Sequence, residues 1–448
     1  MVTQPPLDRE AELDALEDRV REALQRAEKA GAGAAEAQAQ LSRGLSVNVR
    51  MGEVETLEHM QDRGISVTVL IGRRKGQASS ADLRPETIAA CVDRALDIAR
   101  YTEEDPCNGL ADPDRLAVGA PDFDLWHPSP MDAEAAIERA LACEAAGRAE
   151  PRISNSEGAA FNAGLGLSVY GNSNGFVGRS SGTNYSQSCV LLAGRGDGMQ
   201  RDYSYDSRRC LADLEPVEVT GAEAARRTVG RLGARPLPTR AVPVLFAPRV
   251  ATGLISHLLR AISGSTLIRN ASFLKDRAGE QILPDWFRVA ERPHLLRGVS
   301  SSHFDNEGVA TAERDVIDAG VLTGYVLSTY TARRLGLQTT GNAGGARNLL
   351  VSPGGEGEGD LLASVNDGFY VTEVMGQGVN LVTGDYSRGA SGYRIVDGRL
   401  DHPVEEVTVA GNLADMFSDI AGAGEDVDTR GNIHCGGLLI RRMMVAGL

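Results

Sequence analysis

The chain is 448 residues long, with 24% charged residues and a formal charge of −15, and at roughly 150 residues per domain it has room for about three. That balance argues against a nucleic-acid backbone or an anionic membrane as the main partner, because both require a basic surface. No apolar run approaches the roughly 18 residues of a membrane-spanning helix, and 52 glycines with only 5% aromatics suit tight turns and close backbone approaches.

Over 13–30 charged and apolar residues follow helical spacing, with Gly31 and Gly33 as stops. The acidic start has neither the basic nor the apolar segment of a signal peptide, so a cytoplasmic protein is expected. LSVNVRMGEVETLEHM and GISVTVLIGRRKGQASS then alternate around Gly52 and Gly72 and read as strands joined by tight turns. Asp82 or Ser80 is placed to cap a helix over 85–100 that has Pro85 in its first turn. These elements make a first α/β unit, 1–110. Pro106, Pro113, Pro121, Pro128 and Pro130 crowd the connector that follows.

A second unit, 125–235, repeats the plan: a helix over 131–148, strands broken by glycine and asparagine, and a helix over 216–232. GISVTVLIGRRKGQASS and GLGLSVYGNSNGFVGRSS match in kind, which leaves open duplication or shared turn chemistry. The remainder, 238–448, reads as a larger β-rich domain. A buried strand over 239–246 leads into a helix in PRVATGLISHLLRAISGSTLIRNASFL, and hairpins turn at Ala319-Gly320 and Asp397-Gly398. The glycine cluster over 341–348 lacks both phosphate-loop patterns and reads as a flexible or substrate-adjacent loop rather than a nucleotide site. The fold class is α+β: two N-terminal α/β units of helix, antiparallel strands and helix, and a larger β-rich C-terminal domain.

The helix after Pro248 begins as a zinc-protease helix would. Leu254, Ile255, Leu258, Leu259 and Ile262 form one stripe, with Gly253, His257, Arg260, Ala261 and Gly264 opposite. A zinc helix pairs its first His with an adjacent Glu and a second His further on. Here Leu258 follows His257 and no second ligand comes, so no metal site is expected. His257 is then a helix-surface or interface histidine among small residues.

Other candidates are weaker. GNSNG around Ser173 and GRSSG around Ser180 match a nucleophile elbow in letters but lie among short strands without a following helix. Cys435 beside His434 invites a Cys-His pair, yet strand neighbours point to opposite faces, which favours a buried structural cysteine. Asp305, Glu307 and His303 form a polar knot that suits either a cation or water, or a turn whose Asp holds local backbone groups. His59, His127, His294 and His402 stand alone. The six cysteines form no CxxC and no cluster, so reduced thiols are expected.

DRALDIARYTEEDPCNGLAD, GLISHLLRAISGS, SSHFDNEGV, VTEVMGQGVNLVTGDYSRGASGY and AGNLADMFSDIAGAGEDVDTRGNIHCGGLLI together resemble the TldD/PmbA family, in its PmbA (TldE) branch. In that family the TldD-like member holds zinc through a helix with His-Glu, a second His five residues after the first, and a later cysteine. By position His257 matches the first His, while Leu258 and Ile262 stand where the Glu and second His would be. Cys435 lies near the cysteine region, and no metal role is carried over to it.

The resemblance implies a remnant zinc-site helix and a chain that pairs with a TldD-like subunit in a two-component metalloprotease. That enzyme acts on small peptides, such as microcin precursors, and on unfolded polypeptide. Zinc is expected in the TldD-like partner and no cofactor in this chain, which is not expected to be catalytic alone. His257 and Arg260 are the residues lining the remnant site, and a sheet edge of the third domain is a candidate peptide dock. The alternatives are a non-enzymatic peptide- or protein-binding regulator acting as a homodimer, and hydrolysis by this chain alone from scattered His and Asp.

Overall fold

The computed structural model describes residues 7–130 and 132–447. Asp8 caps α1 (Arg9–Lys29) by accepting from the Ala11 N–H at 3.2 Å, and Leu13, Leu16, Val20, Ala23 and Ala27 form its buried stripe. Three antiparallel strands follow, β1 (Ala34–Arg50), β2 (Glu53–Ile71) and β3 (Arg74–Ser80), and then α2 (Pro85–Tyr101). The β1–β2 turn uses Met51 and Gly52, both at positive φ. Neither Asp82 nor Ser80 is the cap of α2. Arg84 is the last extended residue before Pro85, and Asp82 instead accepts from the Arg84 N–H and the Thr87 hydroxyl, both at 3.0 Å.

The same order recurs as α3 (Ala133–Arg148), β4 (Ile153–Asn172), β5 (Val177–Ala193), β6 (Gln200–Arg208) and α4 (Val217–Gly230). Asp132 caps α3; Met131, where the sequence would start this helix, lies outside the described residues. The two stretches share one six-stranded sheet of order β3-β2-β1-β4-β5-β6, joined through an antiparallel β1–β4 pair in which Gly44 opposes Gly164. That mirrored order is what a duplicated α-β-β-β-α unit would produce. The two segments whose likeness suggested duplication do not correspond, since one spans β2–β3 and the other β4–β5. Along β1, Ala35 to Leu41 at odd positions join the core under α1 and α2, and Leu45, Val47 and Val49 join the core under α3 and α4. With a period of two, those odd positions share a face, so all four helices cover one side of the sheet. Gln38, Gln40 and Ser42 on the other side are exposed. Gly221 lets α4 approach α3, because a Cβ there would sit 2.2 Å from the Cys143 carbonyl oxygen.

The C-terminal part begins with β7 (Arg240–Phe246), α5 (Pro248–Ala261) and α6 (Gly264–Ile268). β8 (Val289–Glu291), β9 (Arg314–Asp318) and β10 (Val321–Leu322) precede α7 (Thr329–Leu335), β11 (Leu349–Val351) and α8 (Glu358–Ala363). β12 (Asp367–Met375), β13 (Asp385–Val396), β14 (Arg399–Asn412), α9 (Leu413–Ser418), β15 (Ile420–Ala423), β16 (Ile433–His434) and β17 (Leu438–Ala446) complete the chain. β14-β13-β12-β7-β17 close on themselves through a β14–β17 pairing, with β15 added to β17, while β10-β9-β8-β11-β16 form a second, smaller sheet. Both expected hairpin turns are present, with Ala319, Gly320, Asp397 and Gly398 all at positive φ. The β14–β17 pairing covers only Thr408–Ala410, so it occupies part of the outer edge of β14.

One buried ion pair ties the two halves together at the start of α5. Arg249 Nη1 and Nη2 lie 2.9 and 3.0 Å from the two carboxylate oxygens of Asp202 on β6, and Arg249 Nε donates to the Thr372 carbonyl on β12 at 2.8 Å. Asp202 is 4% exposed. Burial alone would push its carboxyl up, but the Arg249 hydrogen bonds and charge prevail and hold it below the usual range. Removing one partner strands the other charge, so Asp202→Ala is expected to cost about 3–5 kcal/mol in urea unfolding. The carboxylate's contribution is complete above its unfolded value of about 4. It is lost as pH falls through the lower folded value, so in Asp202→Ala the acid-side decline in stability should be shallower.

Candidate functional site

α5 is placed from both ends. Pro248 occupies its first turn, Arg249 is held by Asp202 and β12, and Leu254, Ile255 and Leu258 are buried in the C-terminal core. The helix stops at Ala261. Ile262 leaves it fully buried, with its carbonyl accepting from the Val326 N–H at 3.1 Å, and the Gly264 N–H donates back to the Val326 carbonyl at 2.9 Å. This corrects the single helical stripe read from spacing: Ile262 is not on the helix, and Ala261 and Gly264 are buried rather than on the outer face.

A zinc ion needs three or four N, S or O donors around it. Along α5 and at the residue just after it, the corresponding positions present one imidazole and two aliphatic side chains, Leu258 and Ile262, both 0% exposed in the core. Among the described residues no group of three or more His, Cys, Asp or Glu could hold a metal. The residues present do not fit the ion.

His257 does not face open solvent. It is half-buried, its ring edge-on to Tyr386 with centroids 6.0 Å apart, and its Nδ1 is buried without a hydrogen-bond partner. Tyr386 lies on β13, and Arg388, two residues on, shares its face of the strand. Gly378 lets the loop between β12 and β13 lie against that strand. Its carbonyl accepts from the Ser387 N–H at 2.6 Å, and a Cβ at Gly378 would fall 1.8 Å from the Ser387 oxygen. Arg260, one turn beyond His257, is exposed. Burial first, then the charges of Arg388 and Arg260, push the imidazole down to about 4, so it is neutral near pH 7. Burial pushes the Tyr386 hydroxyl up to about 12, against the pull of Arg388. Such a pocket can donate hydrogen bonds and attract negative charge; it repels a cation.

Sequence reasoning found His257 and Arg260 but missed Tyr386 and Arg388, which lie more than a hundred residues away. The alternating run DYSRGASGY was the only local sign that they share a face.

The other candidates are structural. Ser173 sits in the β4–β5 turn, where its hydroxyl accepts from the Ala35 N–H, and Ser180 lies within β5. Cys435 is fully buried, its thiol donates to the Gly436 carbonyl at 3.2 Å, and burial pushes it up to about 12. Asp305, 1% exposed, accepts from the N–H groups of Glu307, Val309 and Ala343, and Glu307 accepts from the Thr329 N–H. His294 stacks on Phe123 and contacts the Thr311 hydroxyl, His127 meets the Asp124 carbonyl, His402 pairs with Asp401, and His59 lies on exposed β2. The glycine cluster, read as a flexible or substrate-adjacent loop, is tied to β8 by hydrogen bonds. Asn342 and the Arg347 N–H both donate to the buried Glu291 carboxylate at 2.7 Å, and Asn348 is 0% exposed.

His257 offers a direct check of the pocket. Its imidazole resonances should titrate near pH 4 instead of 6.5 and move upward in Arg388→Gln. Between those values the unfolded chain binds the proton and the folded chain does not, so His257 withdraws stability as pH falls from 6.5 towards 4.

Residues 35–99, 126–232 and 239–447 match, in turn, domain 1, the central domain and the C-terminal domain of the PmbA/TldA metallopeptidases. The chain is 47% identical over 440 residues to the metalloprotease PmbA of Escherichia coli O157:H7, covering 98% of this chain and 97% of that protein. A crystal structure from Bacteroides thetaiotaomicron VPI-5482, named as a candidate modulator of DNA gyrase, aligns with a TM-score of 0.92 at 28% identity, over 97% of this chain and 99% of that one. TldE from Thermococcus kodakarensis shares the fold, with a TM-score of 0.83 at 20% identity over 97% of this chain and 100% of that one. With its three domains matched in order along almost the whole chain, this protein belongs to the PmbA/TldD family of metallopeptidases.

Proposed function

We propose that this chain is the subunit without zinc in a two-chain cytoplasmic peptidase, paired with a TldD-like chain that carries the metal and cleaves small or unfolded peptides. The observation that carries the reading is α5. In this reading α5 stands where a TldD-like chain would carry its zinc helix; Leu258 and Ile262 are buried in the core, and His257 lies beside Arg388 and Arg260. A helix so built cannot activate water through a metal, since that chemistry needs an ion held by several donors with an open position. The naming of the Escherichia coli relative as a metalloprotease supports peptide-bond hydrolysis as the activity of the assembly. In this reading the chain supplies half of an enclosed chamber and helps to hold the substrate, while the partner supplies the zinc-bound water.

The test is to purify the chain alone and with a TldD-like partner, and to measure bound zinc and cleavage of an unstructured peptide. The lone chain is expected to be metal-free and inert, and the pair to hold zinc and cut. Stoichiometric zinc and cleavage by the lone chain would refute the reading. His257→Ala in this chain should leave the zinc content of the pair unchanged.

A further inference from the structure

The same face of α5 suggests what this chain holds. We propose that His257 and Arg260 on α5, with Tyr386 and Arg388 on β13, form a binding site for a carboxylate, and that its occupant is the free C-terminal carboxylate of a peptide. That the carboxylate belongs to a peptide rests on the peptidase reading; that the site takes a carboxylate does not.

Geometry comes first. His257 and Tyr386 are in ring contact across α5 and β13, and strand alternation places Arg388 on the Tyr386 face. Helical spacing puts Arg260 on the next turn beyond His257. Two side chains from each element therefore lie in one neighbourhood, with His257 in ring contact with Tyr386 and close to Arg388 and Arg260.

The second observation is unused hydrogen-bonding capacity. His257 Nδ1 and Arg388 Nε are both buried without a partner. The one side-chain hydrogen bond of Arg388 among the described residues is a long contact from Nη2 to the Val374 carbonyl at 3.5 Å, at the limit for such a bond. A buried donor left unsatisfied costs free energy that an arriving acceptor returns.

The third observation is charge. Every charge found to act on His257 is positive, from Arg388 and Arg260, in a chain whose net charge is −15. Three other partly buried arginines are paired with carboxylates, Arg249 with Asp202, Arg314 with Glu291 and Arg430 with Asp428, whereas no carboxylate pairs with Arg388 or Arg260 among the described residues. A carboxylate matches the pair of arginines, because guanidinium groups bind its two oxygens with charge-assisted hydrogen bonds. A neutral imidazole adds a donor without further charge. Strand-like binding of an extended peptide leaves its terminal carboxylate free to be held this way.

The experiment titrates the full chain with N-acetyl-trialanine as the free acid, as the C-terminal amide, and with an amidated peptide bearing an internal Glu, reading the His257 imidazole resonances and calorimetric heat. The free acid should shift His257 and bind, and the plain amide should bind about tenfold or more weakly. Arg388→Gln should lose binding to a similar degree and Arg388→Lys should retain part of it, with native circular dichroism in both. Should Arg388→Gln fail to fold, Arg260→Gln, at an exposed position, is expected to weaken the free acid in the same direction. Equal binding of acid and amide, no binding of the acid, or binding indifferent to the arginine changes would overturn the site. If the internal Glu peptide bound as well as the free acid, the terminal assignment would fail. A pair that cleaves peptide while the chain binds no carboxylate would sink this inference alone; carboxylate binding with an inert pair would sink the peptidase reading alone.

Discussion

The bidentate pair between Arg249 and Asp202 is the constraint on which the placement of the site depends. Arg249 is the second residue of α5, Asp202 lies on β6, and the Arg249 Nε also holds the Thr372 carbonyl of β12. One guanidinium thus joins the helix to the N-terminal sheet and to β12 of the C-terminal sheet. An arginine in the first turn opposes the helix dipole, and only a buried carboxylate close by makes that position favourable. Arg231 from α4 reaches the same carboxylate at 3.6 Å and also pairs with Glu373, so the junction is a network rather than a single contact.

With α5 held at its start and its apolar side sunk into the core, the outer side is left to face β13. There the chain places two arginines and a neutral histidine where a metallopeptidase helix would gather acids and imidazoles. The absence of fit to zinc follows from donor chemistry: Leu258 and Ile262 have no lone pairs to offer. The same substitutions that spoil a cation site give the core two well-packed aliphatic groups, each worth roughly 1.5–3 kcal/mol when fully buried.

Composition and spacing made much of the architecture legible. The five helices read from spacing lie within a few residues of α1 to α5, because prolines and apolar stripes act over one or two turns, while the short α6 to α9 gave no such pattern. Both hairpin turns at positive φ were readable from Ala319-Gly320 and Asp397-Gly398 for the same reason. His257 and Arg260 were identifiable as one face of a helix, and the missing ligands at Leu258 and Ile262 were visible as letters. The end of α5 was less legible, since the chain leaves the helix at Ile262 to exchange backbone hydrogen bonds with Val326, a partner that no local pattern announces.

What the sequence by itself determined is therefore local: helix and strand type, the turns, the acidic balance, and aliphatic residues at 258 and 262 beside a lone His257. The tertiary structure alone decided that the first two α/β stretches share one sheet through β1 and β4, that the β-rich part closes on itself through β14 and β17, and that Tyr386 and Arg388 meet His257. Each of these is a pairing between segments far apart in the chain, settled by which faces bury together. Charge acts the same way. The state of His257 is set first by burial and then by Arg388 across the pocket, neither of which is written in the residues beside it, with Arg260 on its own helix adding to both.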